Sequence, residues 1–424
     1  MSFLKAKTSS FLKLLVALSV ISYPLLRAFH YTSFYLLVGF SLYIFSVVSF
    51  LENFISDSVN KARWVYAFFS APFLSSIWSM MPYRSLYYSG LLFAFGVIFS
   101  ISHIVFMKKK IKWIYVASII SIVVFSVTFS LIIFRFGSVR VQGPAKEVVG
   151  SISNQIPAVC LPLAPYLYVM WRLNKKRGWV ILSSILLILI VVFSESRAAY
   201  ILLLSYVLLI PVFMSNRITY LVKRIAALAL TGLIGAVALY MFVGPQVVGT
   251  VLERFSESKF LQGDFNIAQS LDDIQGDTRR LVMLQEAYNI VITDPLTGIG
   301  YYTFKPYVEA RYPYSAISHN IILTVWGEMG IFGFVSFIGM VTVAFREAGR
   351  GQKCAATNGN KEHWLFLGAS KAALVVLLVH AMVRPQLTNP TFWVIVAACL
   401  GVGWANRVSC APHSTSPNKM STVS

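Results

Sequence analysis

The sequence predicts an all-α, polytopic integral membrane protein with about twelve transmembrane helices and one larger outer segment containing amphipathic helices. Of its 424 residues, 57% are hydrophobic and only 12% charged, and the mean hydropathy is +0.71. A soluble fold of this length has too little polar surface to hide so much apolar area. Apolar runs of about 17–25 residues recur along the chain, the length a helix needs to cross the hydrocarbon layer. Basic clusters fall between alternate runs, as the positive-inside bias requires.

The runs lie near 11–29, 31–51, 63–81, 85–107, 111–136, 157–171, 179–193, 199–214, 223–243, 321–345, 364–382 and 391–407. The opening "MSFLKAKTSSFLKLLVALSV" has a basic start and an apolar stretch but no clear small-residue cleavage site, so it reads as a retained first span. With Lys5 and Lys7 inside and strict alternation after them, "MKKKIK" (107–112), "WRLNKKRG" (171–178), "SNRITYLVKR" (215–224) and "REAGRGQK" (346–353) all fall inside. Arg407 and Lys419 fall there too. Both termini are then cytoplasmic. The formal net charge of +20 becomes largely a matter of topology, and no nucleic-acid partner is expected. Cys160, Cys354, Cys399 and Cys410 show no metal-ligand spacing, and no disulfide is expected. No internal repeat is visible.

This gives four regions: 1–243 with spans one to nine, an outer segment at 244–320, spans ten to twelve at 321–407, and a cytoplasmic tail at 408–424. The outer segment holds Glu253, Glu257, Asp264, Asp272, Asp273, Asp277, Glu286, Asp294 and Glu309, more than half of the 16 acidic residues in the chain. Within it, "TRRLVMLQEAYNIVI" (278–292) places Leu281, Leu284, Tyr288 and Val291 at helical spacing, with Thr278 as a cap. "DPLTGIGYY" (294–302) then ends the helix through Pro295, Gly298 and Gly300. The expectation is an amphipathic helix and turn resting against the outer membrane surface.

Arginine is unusually frequent on the outer side: Arg135, Arg140, Arg197, Arg254, Arg279, Arg280, Arg311 and Arg384, against Lys146, Lys259 and Lys305. A guanidinium is a permanent charge with a planar fork that grips phosphate oxygens bidentately. The cluster therefore suggests a phosphorylated lipid, although snorkelling to headgroups or pairing with the loop acids would also place arginines there. Arg197 stands between two apolar runs with hardly any loop, beside Glu195, where charge is costly and usually functional. His319 opens a span at the outer surface beside Asn320, where an imidazole can act as a general base or orient a hydroxyl. His380 lies near the outer end of another span, four residues before Arg384 and on the same helix face. Glu328, in "WGEMGIFG", reads first as a hydrogen-bonding group to a neighbouring span, with Gly327, Gly330 and Gly333 allowing close approach; an acid in catalysis is the other reading.

Three stretches in order resemble the O-antigen ligase/polymerase superfamily. They are "SESRAA" (194–199), "RLVMLQEAYNIVITDPLTGIGYYTF" (280–304) and "SHNIILTVWGEMGIFG" (318–333). The family often has a tryptophan four residues after the arginine of the second motif; here that position is Leu284, and the spacing to Ala287 and Pro295 selects Arg280 over Arg279. The resemblance implies a multi-pass protein of the bacterial inner membrane with its active site facing the periplasm. It implies glycan transfer from an undecaprenyl diphosphate carrier, without a metal or other cofactor, with inversion at the anomeric carbon. Arg197, Arg280 and His319 take the family's functional positions, His319 as the catalytic residue. Arg140, Arg311 and Arg384 are further candidates for the diphosphate, and Arg279, Asn320, Glu328 and His380 are supporting candidates. Besides the lipid-linked donor and membrane lipids, a ligase needs lipid A-core oligosaccharide as acceptor, whereas a polymerase extends another lipid-linked repeat unit. One outer segment dominates and the 137–156 loop is modest, which favours the ligase. A transporter for the same lipid-linked sugar would carry charge at mid-bilayer and symmetry between halves, and neither is clear.

Overall fold

A computed structural model describes residues 59–136, 156–194, 197–214, 277–312, 318, 320–382 and 387–410. Its elements are α1 (Val59–Ile77), α2 (Pro82–Met107), α3 (Lys112–Phe136), a 3-10 turn (Leu161–Leu163), α4 (Ala164–Arg172), α5 (Arg177–Phe193) and α6 (Arg197–Phe213). After these come α7 (Asp277–Thr293), α8 (Phe304–Glu309), α9 (Ile321–Thr357), α10 (Lys361–Ala381) and α11 (Pro390–Cys410). No strand occurs among the described residues, and no disulfide joins the four cysteines.

Among the described residues five helices are long and apolar enough to cross a membrane: Pro82–Met107, Lys112–Leu131, Ile321–Thr357, Lys361–Ala381 and Pro390–Cys410. In a bilayer only such self-satisfied backbones are tolerated. The runs predicted at 11–29, 31–51 and 223–243, the segment 244–276 and the tail beyond Cys410 lie outside the described residues.

The core is built around α11, which packs against α9, α2 and α10. Its Phe392, Trp393, Ile395, Val396, Ala397, Ala398, Cys399 and Val402 are fully buried. A helix apolar on every side belongs at the centre of a bundle. Trp393 packs on Phe68 and Phe69 of α1 at ring-centroid distances of 5.8 and 4.5 Å. The outward faces are apolar as well. Val127, Leu131 and Phe134 on α3 are exposed, as are Ile181, Ile185 and Ile188 on α5 and Phe332, Val335 and Ile338 on α9. Water would not support so much exposed hydrocarbon; lipid does.

The two ends of the bundle differ. Lys109 Nζ reaches Ser409 Oγ at 2.8 Å, Lys175 pairs with Glu362 at 2.6 Å, and Asn358 Nδ2 donates to Cys410 Sγ at 3.3 Å. The turns at 107–112, 171–178 and 357–361 and the end of α11 therefore share one end, and they carry the basic clusters that alternation assigns to one side. The 215–224 cluster lies outside the described residues.

Two expectations are corrected. The run at 157–171 is not one regular helix: Pro162 and Pro165 accompany a 3-10 turn before α4, because proline removes an N–H and clashes with the preceding turn. The span expected to end at 345 continues helical to Thr357, so "REAGRGQK" is helix rather than loop. That stretch has no proline and pairs internally: Arg350 approaches Glu347 at 3.5 Å, while Arg407 from α11 donates to the same Oε1 at 3.0 Å. Glu347 is only 6% exposed. Arg407→Ala should therefore cost roughly 1–3 kcal/mol through the stranded carboxylate, read as a lower unfolding temperature in detergent, and Glu347→Gln in the same chain should recover most of it.

Candidate active site

The second and third motifs meet where α9 is interrupted. Gly330 has φ 67° and ψ −168°, outside the helical region. In an unbroken helix the Ile331 N–H would donate to the Gly327 carbonyl. Here it donates to Leu296 O at 3.2 Å, and Gly327 O accepts from Ile299 N at 2.9 Å. Gly300 N donates to Glu328 O at 3.0 Å. The loop after α7 thus takes the bonds the helix gives up, and no backbone group need be stranded in an apolar setting. Trp326 Nε1 adds a bond to Pro295 O at 3.0 Å.

Two glycines make the contact possible. Gly298 has φ +66°, and a Cβ there would lie 2.6 Å from Gly330 N. A Cβ on Gly330 would lie 2.1 Å from Leu296 O. Side chains are excluded by space and by the left-handed backbone. The glycines of "WGEMGIFG" were expected to serve helix–helix approach. Gly327 does face Ile290 of α7, at 3.2 Å from a built Cβ, but Gly330 serves the loop and Gly333 faces Met329 of its own helix.

Glu328 also has a different partner from the one expected. Its Oε2 accepts from Tyr302 N and its Oε1 from Phe304 N, both at 3.0 Å. The carboxylate holds the loop and the first turn of α8, where exposed N–H groups favour an anion. It is 5% exposed. The same loop is tied to α1: Met80 N donates to Ile299 O at 3.1 Å, and Tyr301 N to Ser75 Oγ at 3.2 Å.

The helix predicted at 278–292 forms as α7, but its buried stripe is Met283, Ala287, Ile290 and Val291. Of the expected stripe, Leu284 and Tyr288 are exposed, in line with Ile292 and Leu296, and the side chain of Leu281 lies outside the described residues. Both faces of this helix carry apolar residues, so spacing alone could not tell the face toward α9 from the face away from it. The helix runs parallel to the start of α9, with Ile290 and Ala287 against Gly327, and with Met283 and Leu323 in one cluster.

That direction brings the backbone of Arg279 and Arg280 to the end of the bundle where α9 begins. Asn320 caps α9 there, its Oδ1 accepting from Ile322 N at 2.9 Å and Leu323 N at 3.1 Å, which fixes where the helix starts. The first residue of α6 is Arg197, and α6 packs on α10 with Phe213 O bonded to Gln352 Nε2 at 2.9 Å near the basic end. Arg197 therefore starts α6 at the opposite end, which also holds the buried His380 at the close of α10. Arg311 is exposed and stacks over the Tyr307 ring of α8, 3.7 Å from the centroid. The side chains of Arg197, Arg279 and Arg280, and residues Arg140, His319 and Arg384 entirely, lie outside the described residues. Among the described residues no three His, Cys, Asp or Glu side chains converge as a metal site would need.

Sequence reasoning passed over one cation at this end. Arg84, in the first turn of α2, stands with its Cζ 5.6 Å from the Tyr88 ring centroid. Tyr88 stacks on Tyr302, with centroids 3.8 Å apart. The signal was the turn "MPYRS" (81–85), which the same alternation puts on the outer side. It was hidden because so short a connection between spans attracts no notice.

Residues 159–338 match the family model described as O-antigen ligase. Over this segment the chain is similar to the O-antigen ligase family. No curated protein matches the chain. The matched segment encloses all three motifs, and the superfamily implies a glycosyltransferase-like ligase or polymerase acting on lipid-linked glycans. The family motifs around Pro295–Gly300 and Glu328–Gly330 are thus the two halves of one clasp.

Two sets of variants test the clasp. Gly330→Ala should lower the unfolding temperature sharply, since strain of about 1–3 kcal/mol adds to the collision with Leu296 O. Gly90→Ala, in open space on α2, should be neutral or gain about 0.5–1 kcal/mol. Glu328→Ala should cost about 2–4 kcal/mol by stranding two buried N–H groups. Glu328→Gln keeps one acceptor and should cost less. Limited proteolysis within 294–303 should rise in the same order.

Proposed function

We propose that the protein is an O-antigen ligase, a metal-independent inverting glycosyltransferase. It moves a glycan from undecaprenyl diphosphate to lipid A-core oligosaccharide at the periplasmic face of the bacterial inner membrane. The observation that carries this reading is the family match over 159–338, which contains the three motifs and hence Arg197, Arg280 and His319.

The chemistry follows from the donor. The acceptor hydroxyl oxygen attacks the anomeric carbon while the bond from that carbon to the diphosphate oxygen breaks. His319 takes the hydroxyl proton, and the diphosphate leaves with the bonding electron pair. One displacement inverts the centre and needs one base and no covalent enzyme nucleophile. The growing charge on the leaving group needs fixed positive charge. The outer segments contain no Asp-x-Asp pair to hold a divalent ion, and Arg197 and Arg280, with Arg140, Arg311 and Arg384 around them, supply it instead. The exposed apolar faces of the bundle accommodate the prenyl chain.

Within the superfamily the polymerase is the alternative, and the single dominant outer segment favours the ligase. Purified protein given an undecaprenyl diphosphate-linked glycan and either acceptor separates them. Glycan on lipid A-core supports the ligase, and chain growth on the carrier overturns it. His319→Ala should lower transfer about 10²–10⁴-fold without lowering the unfolding temperature; full activity in that variant would remove the base.

A further inference from the structure

Arg84 is a charged group whose Nε finds no hydrogen-bond acceptor among the described residues. It is half-buried, and its Nε is shut off from solvent without a hydrogen-bond partner. Its recorded neighbours are the Tyr88 ring at 5.6 Å and the charge of Glu328, which lies within electrostatic reach. The two Glu328 oxygens are already engaged by Tyr302 N and Phe304 N. A desolvated guanidinium N–H without an acceptor is costly, and such groups call for an acceptor that the described residues do not provide.

The surroundings say what kind of acceptor. Tyr302 is held at φ +62°, a conformation that disfavours any residue with a Cβ. The Glu328 bond to its N–H and the Tyr88 stack keep it there, and strain retained in this way marks functional positions. The result is a stiff aromatic support beside the guanidinium. Around it the surface is apolar: Met80, Met81, Tyr83, Leu86 and Tyr87 are all exposed, Tyr83 at 91%. Ser76 locks the position from below by bonding Ser85 Oγ at 2.9 Å and Ser89 Oγ at 3.3 Å, so the first turn of α2 does not swing. A permanent cation on a rigid mount, with hydrocarbon next to it, fits an anion joined to an apolar chain. Free phosphate would find no use for the apolar rim.

The site also lies where the transfer would occur. Arg84 is at the end of the bundle that carries Asn320, the start of α6 and the start of α7, and it touches the loop of the second motif through Tyr88 and Tyr302. Resting on the function proposed above, we infer that Arg84 is a further donor-binding residue, gripping phosphate oxygens of the lipid-linked diphosphate with its prenyl chain against the Met80–Tyr87 surface.

The test uses the full-length protein in detergent, with farnesyl diphosphate as probe and inorganic pyrophosphate and phosphatidylglycerol as comparisons. Binding is measured by calorimetry. Wild type should bind farnesyl diphosphate well above both comparisons. Arg84→Gln should weaken it about ten- to a hundredfold, and Arg84→Lys should weaken it less, keeping the charge but losing the fork. The unfolding temperature without ligand should stay near wild type for Arg84→Lys, which secures the reading if Arg84→Gln misfolds. Equal binding by wild type and both variants overturns the assignment while leaving the proposed function standing. Equal loss of phosphatidylglycerol binding makes Arg84 a general headgroup anchor and also overturns it. A wild type that binds no farnesyl diphosphate sinks the function and this inference together.

Discussion

The described structure turns on one exchange of hydrogen bonds. Where α9 breaks at Gly330, the carbonyls of Gly327 and Glu328 and the N–H of Ile331 are taken by Ile299, Gly300 and Leu296. A helix in lipid can be interrupted only if something else satisfies its backbone. The loop needs the same from the helix, because the N–H groups of Ile299 and Gly300 find their acceptors there. Each is therefore a condition of the other's conformation. The Glu328 carboxylate extends the exchange by two further bonds, to Tyr302 and Phe304.

This exchange fixes distances between parts of the chain that are far apart in sequence. The loop binds α9, and through Met80 and Ser75 it also binds α1. α7 is then held parallel to the first turns of α9. The starts of α7 and α9, and with them the backbone of Arg280 and the residue next to His319, share one end of a rigid bundle. Groups mounted on helix ends hold their geometry better than groups on loops. In the proposed transfer, fixed positive charge and the base must stay in register over one glycosidic bond, so rigidity here would serve that chemistry as well as stability.

Much of this was legible in the sequence. Hydropathy and basic clusters gave helices at nearly the right places, and the described clusters do gather at one end. Pro295, Gly298 and Gly300 announced a turn, and Glu328 announced an unusual partner. What that partner was could not be read. A buried carboxylate facing a neighbouring helix and one facing a loop leave the same letters, since both follow from a glutamate in an apolar run. The register of α7 failed for a related reason, because Leu284, Tyr288 and Ile292 are as apolar as Met283, Ala287 and Ile290. In water an apolar stripe marks the core, but beside lipid both faces of a helix can be apolar. Arg84 went unnoticed because charge in a two-span corner is expected to snorkel, and only burial of its Nε sets it apart.

The cations at this end also break a local rule in a consistent way. Arg84 stands in the first turn of α2, Arg197 is the first residue of α6, and Arg279 and Arg280 lie in the first turn of α7. A helix start already carries partial positive charge, so a cation there is disfavoured by roughly 0.3–1 kcal/mol. The first turns of α2 and α6 contain no acidic residue to offset it. Three helices share this arrangement at one end of one bundle, while the lysine-rich turns gather at the other. For the helices alone it is a loss. For the diphosphate of the proposed donor, each start would add its own dipole to a side-chain charge, at a membrane surface where neither is screened as in water. Local preferences violated in concert are most economically explained by a common anionic ligand, which the proposed lipid-linked donor would be.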